Sequence, residues 1–580
     1  MTMSKKVADQ LVEMLVDNSV KRIYAVAGDS LNQLNDAVRR SGKIRWIHVR
    51  HEEVGAYAAA AEAELGGLAC CAGSCGPGHI HLINGLYDAH RTGVPVIAIA
   101  STINTEEFGM DYFQGTNTIK LFDDCSCYNQ VAMTAAQVPR MFQSAIQHAI
   151  HHKGVAVFGL PGDVSALPAE ESITAMQNFR CDPVLRPSDQ ELQALAEIIN
   201  KYPKVTIFCG YGAREAHDEV VRLASLINAP VGYSFRGKMG IQYDNPLEVG
   251  MTGLLGLPSA YHSMHEADLV LLLGTDFPYA PFMPLNNKIV QIDDKPEKLG
   301  RRAKLEMGFC GKIKDTLSAL IPLIRHKEED HFLKMQLNFY DKVKQHLETY
   351  VKDKGTTDKI QPEYVAATLD ELAGADAIFT MDTGLCCVWG ARYIHATAKR
   401  KFLGSFNHGS MANAMPMAIG ASLLFPGRQV FALCGDGGLS MLLGDLATIQ
   451  QYHLPVKIIV FNNRALGMVK LEMEVAGLPD NETDMVDPDF GMVALAMGFR
   501  GINVHDPEDV KGAMEEAIGT DGPVLLNIMT NPYALAMPPK IEWEQVRGYG
   551  LSMTKLILGG RMDDVLDIVK SNYKHLIEVL

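Results

Sequence analysis

The chain has 580 residues, 47% of them hydrophobic and 21% charged, with a net charge of -15 at neutral pH. That length exceeds what one hydrophobic core uses and predicts three or four domains of roughly 150 residues each. The acidic balance, without any long Lys/Arg cluster, excludes nucleic acid as a partner, and no run approaches the ~18 apolar residues of a membrane-spanning helix.

Residues 1–15 place apolar side chains at helical spacing interrupted by Asp9 and Glu13. This predicts a helix rather than a signal peptide and a cytoplasmic protein. Short apolar, β-branched runs then alternate with longer helical patterns, at 94–100, 155–160, 205–209, 269–273, 430–434, 456–461 and 524–529. The alternation predicts an α/β chain of doubly wound parallel sheets. Most of these runs end in Gly, Pro, Asn or Asp, and ligands of such sheets sit beyond the carboxyl ends of the strands. Polar stretches at 181–190 and from about 326 to 362, the second beginning as a helix, divide the chain. The resulting units are 1–180, 190–335 and 360–535, with a tail at 536–580. The eleven cysteines lack paired metal spacing and read as reduced, mostly buried thiols.

Arg50-His51-Glu52-Glu53-Val54 precedes an Ala-rich helical pattern at 56–65. In isolation it reads as a solvated helix start, where Glu suits the N-terminus. Gly73-Ser74-Cys75-Gly76-Pro77-Gly78 is a strand-to-helix turn, and Tyr112-Phe113-Gln114 lies downstream. In the second unit Cys209-Gly210-Tyr211-Gly212 follows a strand, but Glu215 stands where a dinucleotide fingerprint needs its third glycine. Asp293, closing another apolar run, can hold a ribose hydroxyl.

The strongest signal is Cys434-Gly435-Asp436-Gly437-Gly438 closing one strand and Asn462-Asn463 closing the next, with Asp436 and Asn463 27 positions apart. Oxygens of Asp and Asn suit magnesium, glycines let backbone N–H groups approach phosphate, and a following helix adds its dipole. Each turn alone is ordinary; the pair predicts a metal-diphosphate site. In the tail, Val565, Leu566, Val569, Tyr573, Leu576, Ile577 and Leu580 recur at spacings of three and four. That amphipathic helix either docks on its own protein or lies on a membrane surface.

Gly435-Asp436-Gly437 with Asn462-Asn463 resembles the thiamine-diphosphate motif of the pyruvate oxidase and acetolactate synthase superfamily, and the likeness covers nearly the whole chain. Segments 405–416 and 275–279 are most similar to the quinone-linked pyruvate dehydrogenases. The resemblance implies pyrimidine-binding, FAD-binding and diphosphate-binding domains in that order. It implies that Asp436, Asn463 and the carbonyl of Ala465 hold Mg2+. Gly409, Ser410 and Met411 would grip thiamine diphosphate, Met411 wedging it into a bent form, with Gly437, Gly438, Leu466, Gly467 and Val469 beside it. Glu52 would be the carboxylate that activates the aminopyrimidine.

The same resemblance makes Phe113, Gln114 and Glu472 substrate contacts. Met468 stands where relatives carry an aromatic residue linked to activation or flavin coupling. FAD would be contacted by Thr252, Gly253, Leu254, Leu255, Thr275, Asp276, Phe277, Pro278, Tyr279 and Asp293. The implied reaction is oxidative decarboxylation of pyruvate to acetate and CO2 through a carbanion-enamine, with electrons passing to FAD and then to a membrane quinone. A homodimer or homotetramer would share each site between the first part of one subunit and the third part of another. The tail would attach the protein peripherally to the inner face of the cell membrane. Rival outcomes are an oxygen-using pyruvate oxidase making acetyl phosphate and peroxide, or an acetolactate synthase with non-redox FAD. A non-catalytic relative should lack the carboxylate or a metal ligand, yet Glu52, Asp436 and Asn463 are all present.

Overall fold

Three six-stranded parallel sheets follow one another along the chain in the computed structural model, which describes residues 5–170, 179–486, 488–534, 536, 551–553, 555, 565, 566 and 568. The first contains β1 (Arg22–Ala25), β2 (Arg45–His48), β3 (Ala69–Gly73), β4 (Val96–Thr102), β5 (Tyr128–Val131) and β6 (Val155–Pro161). The second contains β7 (Val205–Cys209), β8 (Val231–Tyr233), β9 (Glu248–Met251), β10 (Leu269–Leu273), β11 (Lys288–Asp293) and β12 (Met307–Cys310). After a short hairpin of β13 (Gly355–Thr356) and β14 (Lys359–Ile360), the third contains β15 (Ile378–Met381), β16 (Lys401–Gly404), β17 (Val430–Gly435), β18 (Val456–Asn462), β19 (Arg500–Val504) and β20 (Val524–Met529). Central strands such as β4, β10 and β18 are buried along their whole length, as expected where helices cover both faces of a parallel sheet.

Strand order distinguishes the units. The first and third sheets run β2-β1-β3-β4-β6-β5 and β16-β15-β17-β18-β20-β19, which is one topology used twice. The middle sheet runs β12-β11-β10-β7-β8-β9, the order of dinucleotide-binding sheets when read from its β9 edge. The order reverses between β1 and β3, between β7 and β10, and between β15 and β17. At each of these points neighbouring loops diverge and open a crevice at the carboxyl ends of the strands.

Helices α1 (Glu52–Gly66), α2 (Pro77–His81) and α3 (Ile83–Thr92) belong to the first unit. Helix α4 (His331–Lys352) joins the second unit to the third, which holds α5 (Pro362–Leu372), α6 (Leu385–Tyr393), α7 (Ala414–Leu424), α8 (Asp436–Met441) and α9 (Gly467–Val475). Helices α1 and α7 are buried almost all round because each is packed on one side by its own sheet and on the other by its counterpart. A side chain at Gly420 would place its Cβ 2.1 Å from the carbonyl oxygen of Ala58, so only glycine allows this approach. One hydrophobic core is therefore shared by the first and third units, and a second joins the middle and third.

The polar stretch at 326–362 is structured for most of its length. Helix α4 has 22 residues and turns Phe332, Leu333, Gln336 and Tyr340 inward, so position 335 falls inside an element docked on the middle unit. The charged residues that suggest a linker form its outer face. Helix α1 begins at Glu52, four residues ahead of the Ala-rich pattern, because the His51 ring accepts the Glu53 N–H at 3.3 Å as an N-cap. All eleven cysteines are free thiols, and Cys181 alone among them is exposed.

Candidate active site

The crevice between β15 and β17 is where the third unit concentrates its polar chemistry. Strand β17 delivers Gly435 and Asp436, and α8 starts at Asp436, which is buried. Strand β18 delivers the two asparagines, and the fold assigns them different tasks. Asn462 turns inward: its amide donates to Asn527 Oδ1 at 3.1 Å and its Oδ1 accepts the Arg464 N–H at 3.2 Å. Asn463 faces the cleft, with its Oδ1 steadied by the Ala465 N–H at 3.1 Å. Arg464 has a φ of +56°, and this left-handed step is held by bonds from Leu466 N to Thr483 O and from Met485 N to Arg464 O, both 2.8 Å.

Asp436, Gly437, Gly438, Asn463, Ala465, Leu466, Gly467, Met468, Val469 and Met411 all line this cleft. Three oxygen sources, the Asp436 carboxylate, the Asn463 amide and the Ala465 carbonyl, thus converge with hard-ligand chemistry that could hold a magnesium ion. A side chain at either glycine would displace a wall of the cleft. A Cβ at Gly437 would lie 2.8 Å from Leu466 Cδ2, and one at Gly438 would lie 2.2 Å from Asp382 Oδ2.

Asp382-Thr383-Gly384, at the end of β15, forms the opposite wall, and the sequence reading does not single it out. Its signal is the same as that of Gly435-Asp436: an Asp and a Gly closing an apolar strand. Asp382 is buried, accepts the Ala414 N–H at 2.8 Å through Oδ1, and leaves Oδ2 without a partner. Burial pushes its carboxyl up to about 7. An orphaned buried oxygen beside a glycine cradle fits a site built to receive a polar group.

Segment 405–411 is bolted to the first unit. Ser405 Oγ donates to Asp88 at 2.8 Å, Tyr57 Oη donates to Ser410 Oγ at 2.6 Å, and Asn84 bridges Ser410 (3.0 Å) to Glu53 (2.8 Å). Gly409 has a φ of +78° and Ala412 of +65°, so the chain turns sharply on both sides of Met411. Met411 enters the cleft, whereas Gly409 and Ser410 serve as its mount.

Glu52 stands apart from that cleft, which is lined only by residues of the third unit. Its buried carboxylate is 2.9 Å from His81 Nδ1, and the His81 ring stacks on His51 with centroids 4.5 Å apart. His81 carries no sequence signal, since it meets Glu52 only through the packing of α2 against α1. Phe113 is 79% exposed on the loop after β4. Gln114, at a φ of +62°, accepts the Cys75 thiol through its carbonyl at 3.1 Å. Glu472 lies on α9 outside the cleft lining, while Met468 and Val469 of the same helix are within it.

In the middle unit the reversal point lies between β7 and β10, where Gly210-Tyr211-Gly212 and segment 274–279 meet. The first two glycines of the partial fingerprint serve protein packing. Gly212 N donates to Gly274 O at 2.9 Å, and a Cβ at Gly212 would lie 2.9 Å from Gly274 Cα. The surrounding residues nevertheless fit a dinucleotide. Thr252 is buried with its Oγ1 unpartnered, and Asp293 is buried at the end of β11. Burial pushes the Asp293 carboxyl up, against the pull of Lys298. Leu254 and Tyr279 are exposed beside buried Phe277, whose ring occupies the space a Cβ at Gly253 would need. Asp276 is engaged by Arg301 and Arg302, whose charges hold it below the usual range despite burial, and Pro278 is exposed.

The described part of the tail packs on its own chain. Ser552 Oγ donates to Leu478 O at 3.1 Å, Lys555 Nζ donates to Gly477 O at 2.8 Å, and Ile568 is buried against a recess lined by Lys470, Leu471 and Tyr533. The rest of the amphipathic pattern, including Val569, Tyr573, Leu576, Ile577 and Leu580, lies outside the described residues. Among the described residues no helix is long and apolar enough to cross a membrane.

Sheet order and site together define a thiamine-dependent enzyme fold, and comparison with known proteins agrees. Residues 5–121 match the thiamine pyrophosphate enzyme N-terminal TPP binding domain, 192–320 the central domain and 382–528 the C-terminal TPP binding domain. The chain is 34% identical to the putative thiamine pyrophosphate-containing protein YdaP of Bacillus subtilis over 98% of its own length and 99% of that protein. It is 32% identical to the pyruvate oxidase of Lactiplantibacillus plantarum, covering 89% of this chain and 87% of that one. Acetolactate synthase of Arabidopsis thaliana is 28% identical, over 90% of this chain and 81% of its own. The chain belongs to the thiamine pyrophosphate enzyme family and is a thiamine-diphosphate-dependent enzyme of decarboxylase type.

Proposed function

We propose that this enzyme oxidises pyruvate: pyruvate and water give acetate and carbon dioxide, with two electrons and two protons delivered to FAD and then to a membrane quinone. Bound thiamine diphosphate supplies a carbon nucleophile for the ketone and a place for the electrons left when the carboxylate departs. Asp436, Asn463 and the Ala465 carbonyl hold magnesium, and Met411 shapes the cofactor's seat. Glu52, oriented by His81, holds the proton at the aminopyrimidine. Phe113 and Gln114 of a second copy, with Glu472, would bound the substrate once that copy closes over the cleft, and Met468 of the cleft lining would be the residue nearest in kind to the relatives' aromatic one. Asp293 and segments 252–255 and 275–279 would hold FAD on the middle unit, which would supply the two-electron acceptor.

The observation that carries the oxidative reading is the middle sheet. Its dinucleotide-type strand order sets the loop after β9 against α6, the helix whose first turns wall the diphosphate cleft, through bonds from Arg392 to the Leu255 and Gly256 carbonyls. A flavin held by that loop would lie on the side of α6 away from the diphosphate cleft's glycines. The separation of Glu52 from its own chain's cleft supports a homodimer or homotetramer in which a second copy supplies that carboxylate. The tail would reach the inner face of the cell membrane when it leaves its present seat.

The test is anaerobic. Enzyme with thiamine diphosphate, magnesium and FAD is mixed with pyruvate while flavin absorbance is followed, and a soluble quinone analogue is then added with and without lipid vesicles. Bleaching that quinone reverses, faster with lipid, is the expected result. Acetolactate formed with no bleaching, or reoxidation by oxygen with peroxide and, given phosphate, acetyl phosphate, would replace this reading with a synthase or an oxidase.

A further inference from the structure

Helix α6 touches two sites at once. Leu385, Cys386 and Trp389 of its first turns wall the diphosphate cleft. Its last turn carries Arg392, whose Nε donates to the carbonyl of Leu255 and whose Nη2 donates to that of Gly256, each at 3.1 Å. These carbonyls belong to the loop after β9, on the other side of a unit boundary. The loop is tightly wound: Gly256 N donates to Gly253 O and Leu257 N to Met251 O, both at 2.8 Å, with Gly250 at a φ of +81° and Gly253 at +104°. Such winding leaves adjacent carbonyls pointing outward together, and a planar guanidinium is the side chain that can take both.

Arg392 is half-buried, and burial pulls its pKa down against the influence of Tyr393, Glu363 and Tyr350. The strand leading into the loop packs on α4, since a Cβ at Gly250 would lie 2.9 Å from the Tyr340 ring, and Leu257 just beyond the loop joins Tyr340 in one buried cluster. The loop thus sits between elements docked on α4 and a side chain of the third unit.

We infer that Arg392 is a positioning residue for the flavin, holding loop 252–256 onto α6 so that flavin and thiamine sites keep a fixed separation. The inference rests on the flavin reading above. Arg392 acts through the Leu255 and Gly256 carbonyls. Its loss should therefore change how the flavin sits while leaving the diphosphate cleft intact.

The experiment uses the full-length protein with thiamine diphosphate, magnesium and FAD. FAD affinity is read from flavin fluorescence on dilution, flavin environment from visible circular dichroism, and thiamine diphosphate affinity separately. Arg392→Met should weaken FAD roughly 10- to 100-fold, as expected for two charge-assisted bonds. It should also alter the visible dichroism and leave thiamine diphosphate affinity within about threefold. Arg392→Lys should recover part of both flavin signals, because an ammonium reaches one carbonyl.

Gly256→Ala, whose Cβ would lie 2.4 Å from Thr252 Cα, should reproduce the flavin loss from the loop's own side should Arg392→Met fail to fold. Glu363→Gln leaves both carbonyl bonds in place and should keep wild-type FAD affinity. Unchanged FAD affinity and dichroism in both Arg392→Met and Gly256→Ala would overturn the inference, and so would an equal loss in Glu363→Gln. A wild-type protein that takes up no FAD would overturn the flavin reading and this inference together.

Discussion

The first and third sheets share one strand order and reverse it at the equivalent place, yet their crevices differ. In the first unit the crevice is filled by protein. A Cβ at Gly28 would lie 2.4 Å from Ser74 Cβ, one at Gly73 would lie 2.5 Å from His79 Cα, and Cys75 N donates to Ser30 Oγ at 2.9 Å. In the third unit Gly435 has no atom within 4 Å of where its Cβ would be, and Asp382 keeps a carboxylate oxygen without a partner. Topology provides a crevice in both units, and loop packing decides whether it is left for a ligand. The first unit offers its chemistry elsewhere, at the junction of β2 and α1, where Glu52 opens a helix against His81.

This division of labour can be broken most directly at its two carboxylates. Glu52→Gln should lower turnover roughly a hundred- to ten-thousandfold, the usual weight of acid-base catalysis, while thiamine diphosphate still binds. Asp436→Asn should weaken magnesium-dependent cofactor binding roughly 10- to 100-fold, measured by calorimetry. Equal loss of cofactor binding in both variants would mean that the first unit also carries the anchoring.

The contrast between filled and open crevices is sharpened by two alanines in the protein free of cofactor. Gly28→Ala should cost about 1–3 kcal/mol in denaturant unfolding through overpacking. Gly435→Ala should stay within about 0.5 kcal/mol of wild type, because its Cβ meets nothing. Similar costs at the two positions would remove the distinction.

A pH-dependent effect belongs to the seam between the two units. Asp88 is buried with one oxygen unpartnered, and burial raises its carboxyl to about 7 from 3.8, against the pull of the Ser405 hydroxyl. The native state therefore keeps a proton that the unfolded chain has released, so this group costs stability as pH rises from about 4 through about 7. Asp88→Asn should lose less stability than wild type between pH 5 and pH 8 in paired denaturant titrations. A wild-type slope in the variant would show that Asp88 does not titrate in that range.

Much of the framework is legible in the sequence. The runs at 205–209, 269–273 and 524–529 coincide with β7, β10 and β20, because a strand buried on both faces is predominantly apolar. Asp436 and Asn463 are readable for a related reason: Asp, Asn and Gly closing consecutive apolar strands combine ligand chemistry with turn chemistry in a local pattern. Asp382 carries the same pattern without standing out, since a single Asp-x-Gly is also an ordinary turn. The stretch at 326–362 misleads because charge marks the outer face of a docked helix as readily as it marks a linker.

What the sequence determined by itself was therefore local: where strands run, where they end, and which strand ends carry oxygen ligands and glycine. These follow from side-chain periodicity and backbone freedom within a few residues. The tertiary structure alone decided that Asn463 rather than Asn462 faces the cleft, that Gly210 and Gly212 are spent on packing against Gly274, that His81 orients Glu52, and that Arg392 fastens one unit to another. Each of these depends on contacts between residues far apart along the chain, which local pattern does not encode.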